Sequence, residues 1–313
     1  MSAAQVELSD PPSDAISALR FAPTGLRLLV ASWDKHVYLY DTAESGGRLL
    51  EKFEYRAPVL DVCFGEDEKE AFTAGLDWDV RKTNLSTGEQ TILSSHSAGV
   101  KSVVYSPPHS MLISASWDST LHIHHPSHPS QVPTTIHLPS KPFSLSLTPT
   151  KLVVAMASRA LHIYDLKALS VLSAQASQPP PNTIDVQPWQ RRESSLKFMT
   201  RAVACMPNDD GYASSSIEGR VAVEWFDPSE ASQARKYAFK CHRQPSPEGI
   251  DVIYPVNALA FHPVHGSFAS GGGTGWWRFG TGSPRGGLGS ISGIRRVSRR
   301  CASRPTGGIW RWG

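Results

Sequence analysis

One short turn recurs along this chain at near-constant spacing, and that recurrence limits the fold more than any other feature. Ser32-Trp33-Asp34, Gly75-Leu76-Asp77 and Ser116-Trp117-Asp118 are its copies, and the aspartates at 34, 77 and 118 lie 43 and 41 positions apart. A period of roughly 40–45 residues, each unit a set of short strands, is the signature of a Trp-Asp-repeat (WD40-type) β-propeller. The predicted fold class is therefore all-β. Such a scaffold serves as a rigid platform, so function is sought on its faces.

Each unit has the internal order of a blade. The first runs through the alternating strand Ile16-Ser17-Ala18-Leu19-Arg20-Phe21 and the punctuation Pro23-Thr24-Gly25. It continues through the apolar run Leu28-Leu29-Val30-Ala31 to the Trp-Asp turn and a strand closing on Tyr40-Asp41. Further units start at Pro58, Gly99, Lys141, near Arg201 and at Val256. In the fourth, Ser158-Arg159 replaces the Trp-Asp turn; in the fifth, Ile217-Glu218-Gly219 does. No long amphipathic helix is expected. The stretch 170–190, with Pro179-Pro180-Pro181, reads as an inter-blade loop.

Several classes find no support. There is no apolar run of spanning length and no basic-then-apolar leader at the N-terminus. Cys63, Cys205, Cys241 and Cys301 are scattered without Cys-x-x-Cys pairs, as reduced thiols in cytosol or nucleus would be. No Gly-x-Ser-x-Gly elbow or Walker loop is present, so an enzyme is not predicted and no cofactor is expected. His122 and His124 fall on one face of a strand and His125 on the other, which argues against a metal site with His128.

Charge is unevenly distributed. Residues 274–313 hold eight of the 31 basic residues, all Arg, and no acid, which leaves 23 basic and 28 acidic residues in 1–273. One reading of this tail is a Gly/Arg-rich arm for RNA. The favoured reading is a change of frame. Trp276-Trp277 must be encoded TGG TGG, and reading one base early with permitted neighbouring codons yields Val-Val-Ala-Leu-Trp-Asp, the strand and turn that the sixth unit lacks. The expected organisation is a propeller over 1–273 with a closing strand at 5–13, an incomplete sixth blade, and an out-of-frame tail over 274–313 in place of a seventh.

Three stretches carry a more specific resemblance. Arg191-Arg192-Glu193-Ser194-Ser195-Leu196-Lys197, Ile217-Glu218-Gly219-Arg220-Val221-Ala222-Val223-Glu224 and Tyr237-Ala238-Phe239-Lys240-Cys241-His242-Arg243 resemble the Bub-three family of mitotic spindle-checkpoint propellers, and Tyr254-Pro255-Val256-Asn257 extends the match. The messenger-RNA-export propellers of Rae/Gle type are the near alternative. The checkpoint resemblance implies a seven-bladed, non-catalytic, monomeric adaptor in the nucleus, at kinetochores in mitosis, and in the cytoplasm. It implies two kinds of partner: GLEBS-type segments of a Bub-type kinase and its BubR/Mad-type paralogue, and phosphorylated Met-Glu-Leu-Thr repeats of the kinetochore scaffold. Neither membrane nor direct nucleic-acid binding is implied.

For the phosphothreonine, Arg220, Lys240 and Arg243 are the candidate donors, because a phosphate bearing about −1.5 to −2 charges is held by Arg and Lys. Trp33 and Trp117 are candidate apolar platforms for the GLEBS segment, and Glu218 a candidate acceptor for a basic partner residue. Alternatives stay open for each. The two tryptophans can pack between blades, and Glu218 can pair with Arg220. His242 reads as a core hydrogen-bonder, and Asp34, Asp77 and Asp118 as turn-formers.

Overall fold

The computed structural model describes residues 8–23, 25–43, 47–127, 132–176, 183–274, 277–281 and 289–291. Among the described residues, six four-stranded antiparallel sheets follow one another along the chain, with a two-stranded hairpin, Arg243–Pro245 and Asp251–Ile253, between the fifth and sixth. The innermost strands are Ile16–Phe21, Val59–Phe64, Val100–Ser106, Pro142–Leu147, Thr200–Cys205 and Val256–Phe261. Each packs against the next in chain order, blade one to blade six; the strands Ile16–Phe21 and Val256–Phe261 share no contact of that extent.

Alternation along the strands explains how the blades cohere. In blade one, Leu29, Ala31, Val37 and Leu39 join a cluster with Val59, Val62 and Phe64 of blade two. The interleaved Leu28, Val30, Tyr38 and Tyr40 face the other way, where Leu8 covers them. Period-two side-chain placement thus gives every blade two apolar faces. Polar staples add to this: the buried Asp61 carboxylate of blade two accepts from Arg20 of blade one (3.1 Å) and from Ser102 of blade three (2.5 Å).

The repeated turn has a shared backbone geometry. Its first residue donates its N–H to the carbonyl just ahead of the innermost strand: Trp33 to Ala15, Leu76 to Pro58, Trp117 to Gly99, Ala157 to Lys141, Ile217 to Met199 and Gly273 to Pro255. Its third residue is left-handed in the five turns described throughout: Lys35, Trp78, Ser119, Arg159 and Gly219 have φ between +63° and +73°. The reason is common to all five. The carbonyl of that residue is aimed at an N–H of the outer connection, on Tyr55, His96, Leu138, Ser194 or Cys241, at 2.8–2.9 Å.

Three expectations change. The sixth blade is not incomplete: Trp277–Thr281 and Gly289–Ile291 add third and fourth strands to its sheet, with Ser267 opposite Thr281. Pairing needs only extended backbone, and Gly280 suits its place, since a Cβ there would come within 2.6 Å of the Phe268 ring. The rest of the tail lies outside the described residues. Residues 8–13 of the closing segment 5–13 form no strand. Pro11 and Pro12 lack N–H donors, and the chain is instead pinned by Ser9 N–H to Gly47 O at 3.1 Å and Tyr40 Oη to Asp10 O at 2.9 Å; residues 5–7 lie outside the described residues. Finally, the stretch read as an inter-blade loop over 170–190 lies within blade four, between its strands Ala160–Asp165 and Gln190–Glu193, and begins inside a helix, Leu166–Ala176. Asp165 Oδ1 caps it by accepting the Ala168 N–H (2.9 Å), and Leu166, Leu169 and Ser173 form its buried stripe. Residues 177–182 are outside the described residues.

Candidate functional site

In every blade the pairing register slips at the second residue of the innermost strand. The residues skipped are Ser17, Leu60, Lys101, Phe143, Arg201 and Asn257. All six line one cavity of about 440 Å³ at the axial mouth. A β-bulge frees one residue from the strict alternation and re-aims its side chain, and here the same device recurs around the axis. None of these six was among the candidates read from the sequence. A signal was present: in five of the six units the bulged residue stands sixteen positions before the first turn residue, as 17 before 33, 60 before 76 and 101 before 117.

Trp33 and Trp117 join this cavity, together with Asp14 and Met199. Trp33 is 44% exposed and so is not consumed by packing between blades. Trp117 is half-buried; its ring and Leu76 of blade two both lie within 3.2 Å of where a Gly99 Cβ would stand. The mouth therefore combines aromatic and aliphatic surface with two cations, Lys101 and Arg201. Arg201 is oriented by Asn257, whose Oδ1 accepts from both Nε (3.2 Å) and Nη2 (3.0 Å).

The remaining candidates gather at the outer strands of blade five, on the same end of the propeller. Arg220 and Lys240 are direct cross-strand partners, so their side chains share a face. Arg243 donates Nη2 to the Glu218 carbonyl at 3.1 Å and lies 4.0 Å from Asp251. The Glu218 carboxylate, its side chain 13% exposed, stands 3.4 Å from Arg220 Nε; it faces Arg220 within the protein, the pairing alternative noted from the sequence. Arg220 Nε, Arg243 Nε and Glu218 Oε1 are all buried without a hydrogen-bond partner in the protein. Gly219 sets this arrangement, since at φ +64° a Cβ would meet the Cys241 carbonyl at 2.7 Å.

The other readings resolve by geometry. His242 is fully buried, with Nδ1 on Thr274 (2.8 Å) and Nε2 on Ser270 (3.1 Å). His96 does the same in blade three, between Asp118 and Ser114, both at 3.0 Å. Asp34 and Asp118 shape their turns by accepting the N–H groups of His36 and Thr120, and Asp77 holds Arg81 at 3.0 Å. Burial pushes the Asp118 carboxyl up, but the bonds from Thr120 and Ser97 and the adjacent His96 outweigh it and leave the pKa at about 2. His122 stacks on His96 at 3.6 Å and shares Ser94 Oγ with His124, while His125 turns away to Ser173; His128 lies outside the described residues.

Six four-stranded sheets carrying a repeated Trp-Asp-type turn and a shared axial mouth define a WD-repeat β-propeller. The sequence profile of the WD domain, G-beta repeat family matches residues 5–41 and 88–125. The chain is 47% identical over 270 residues to the mitotic checkpoint protein BUB3.1 of Arabidopsis thaliana, covering 85% of this chain and 74% of that one. It is 37% identical to the mitotic checkpoint protein bub3 of Dictyostelium discoideum (85% and 75% covered) and 32% identical to protein Rae1 of Drosophila melanogaster (87% and 76% covered). This chain belongs to the Bub3 family of mitotic checkpoint proteins.

Proposed function

We propose that this propeller is a non-catalytic adaptor of the spindle assembly checkpoint with two docking places on one end. The axial mouth takes a GLEBS-type segment of a checkpoint kinase or its paralogue, which seats apolar side chains against Trp33 and Trp117 and carboxylates near Lys101 and Arg201. The outer strands of blade five take a phosphothreonine of a Met-Glu-Leu-Thr repeat, held by Arg220, Lys240 and Arg243. These partners imply action in the nucleus and at kinetochores.

One observation carries the second half of this reading. Arg220, whose side chain is 36% exposed, and the exposed Lys240 share one face of the ladder, and Arg243 is held at the same edge by its bond to the Glu218 carbonyl, so three cations meet there. A phosphate carrying about −1.5 to −2 charges supplies strong acceptors for such a cluster of cations.

Titration with a Met-Glu-Leu-Thr peptide in phosphorylated and unphosphorylated forms tests the reading. Phosphate-dependent binding that falls by tenfold or more in Arg220→Ala supports it; equal binding of the two forms sinks it. The resemblance to Rae1 favours a second reading, an export adaptor. That reading predicts GLEBS binding to a nuclear-pore protein with no phosphate dependence.

A further inference from the structure

The third position of the repeated turn is where the fold rewards glycine. Its carbonyl is fixed by the outer connection and its φ is held near +65° to +70°, whichever residue occupies it. Blade five uses Gly219 there, whereas blade two carries Trp78 at φ +73°. A bulky side chain in the left-handed region is strained. Burial offsets this only in part, since Trp78 is 53% exposed. Strain held at an exposed aromatic, with little return in core packing, points to a task outside folding.

The surroundings show what that task is. The turn residue Leu76 lies beside Trp117, so apolar surface runs from the axial mouth onto the turn of blade two. On the same turn Arg56 donates to the Asp77 carbonyl (3.3 Å) and keeps 70% of its side chain exposed. Arg56 also stands 3.7 Å from Asp79, but that carboxylate is already held by Arg81 and Ser95, each at 2.6 Å. The guanidinium is therefore exposed to solvent at the turn that carries Trp78.

We propose that the segment crossing the axial mouth continues over blade two, laying an aliphatic side chain on Trp78 and a neighbouring carboxylate on Arg56. This rests on the mouth being the docking place for a GLEBS-type segment. The occupant is one extended, acidic peptide, because Leu76 of this turn stands by Trp117 of the mouth and the exposed charge bonded to the turn is the Arg56 guanidinium.

Trp78→Gly separates binding from folding, since glycine relaxes the turn. The full chain and this variant are compared for urea midpoint and for affinity to a fluorescently labelled GLEBS peptide of a checkpoint kinase. The variant is expected to unfold at the same or higher urea concentration, yet to bind about thirtyfold more weakly, the scale of a tryptophan anchor. Arg56→Ala should weaken binding severalfold, with the loss shrinking at high salt. Wild-type binding with Trp78→Gly within twofold overturns this inference alone. Absence of peptide binding to the wild-type chain overturns the mouth reading and this inference together.

Discussion

Replacing Asp61 by alanine removes one carboxylate from the junction of three blades. Oδ1 accepts from Arg20 Nη2 (3.1 Å) and from the Val62 N–H (3.1 Å), and Oδ2 accepts from Ser102 Oγ (2.5 Å) and the Val103 N–H (3.2 Å). The contributions are unequal. Arg20 is 38% exposed and can return to water, so its ion pair adds at most about 1 kcal/mol. Ser102 is buried, and stranding its hydroxyl and the neighbouring N–H costs about 1–3 kcal/mol each. Asp61→Ala should therefore lose about 3–5 kcal/mol. With a urea slope of about 3 kcal/mol/M, the unfolding midpoint, followed by tryptophan fluorescence, should fall by roughly 1–2 M. Asp61→Asn keeps an acceptor for Ser102 and should lose less than half as much. A midpoint shift for Asp61→Ala worth under 1 kcal/mol, or equal losses for the two variants, would refute the view that this staple joins the inner strands.

Other outcomes follow from the same geometry. Burial, reinforced by the neighbouring imidazoles, holds His122 and His124 at about 3. The unfolded chain then binds more protons than the folded one between pH 6.5 and about 3, so stability falls with falling pH across that window, by up to about 1.4 kcal/mol per pH unit for each histidine. Urea midpoints at pH 7.5 and 5.5 should differ accordingly, and His122→Gln should flatten the dependence; a pH-independent midpoint would contradict it. The Asp118 contribution, from a lowered carboxyl, is lost only below about pH 4. Gly219→Ala should destabilise the fold by at least about 1–2 kcal/mol through its left-handed φ and its approach to Cys241, and should weaken phosphopeptide binding by displacing Arg220; unchanged affinity would detach Gly219 from that site. Leu169→Ala, at a fully buried position on the helix between the third and fourth strands of blade four, should cost about 2–5 kcal/mol by denaturant titration.

The blades were legible because two signals coincide in each unit, a Gly/Pro-punctuated start and an apolar run ending at the turn. The starts read at Pro58, Lys141 and Val256 fall within a residue of the observed strands. The helix Leu166–Ala176 was not, since the later prolines suggested a loop although Asp165 and the Leu166/Leu169/Ser173 spacing were there to read. The outer strands of the sixth sheet escaped notice because a strand was sought by its Trp-Asp ending, and backbone pairing does not require one. At the site, residue type singled out Trp33, Trp117, Arg220, Lys240 and Arg243 as candidates, but could not tell which of them meet. The bulges that open the mouth are register events between strands, invisible to a pattern confined to one strand.

Those bulges divide the demands on each innermost strand between two kinds of position. A paired residue answers to a neighbouring blade through its face of the sheet, so replacing it disturbs the core. Ser17, Leu60, Lys101, Phe143, Arg201 and Asn257 stand outside that ladder and line the mouth, where Ser17 also donates to the Val59 carbonyl of blade two and Arg201 to Asn257 of blade six. A propeller of this kind can exchange a cation for an aliphatic group at one of them and acquire a different appetite for partners while its blades keep their packing. Six such positions act as a small combinatorial lock, set one tumbler per blade, on a frame that does not change.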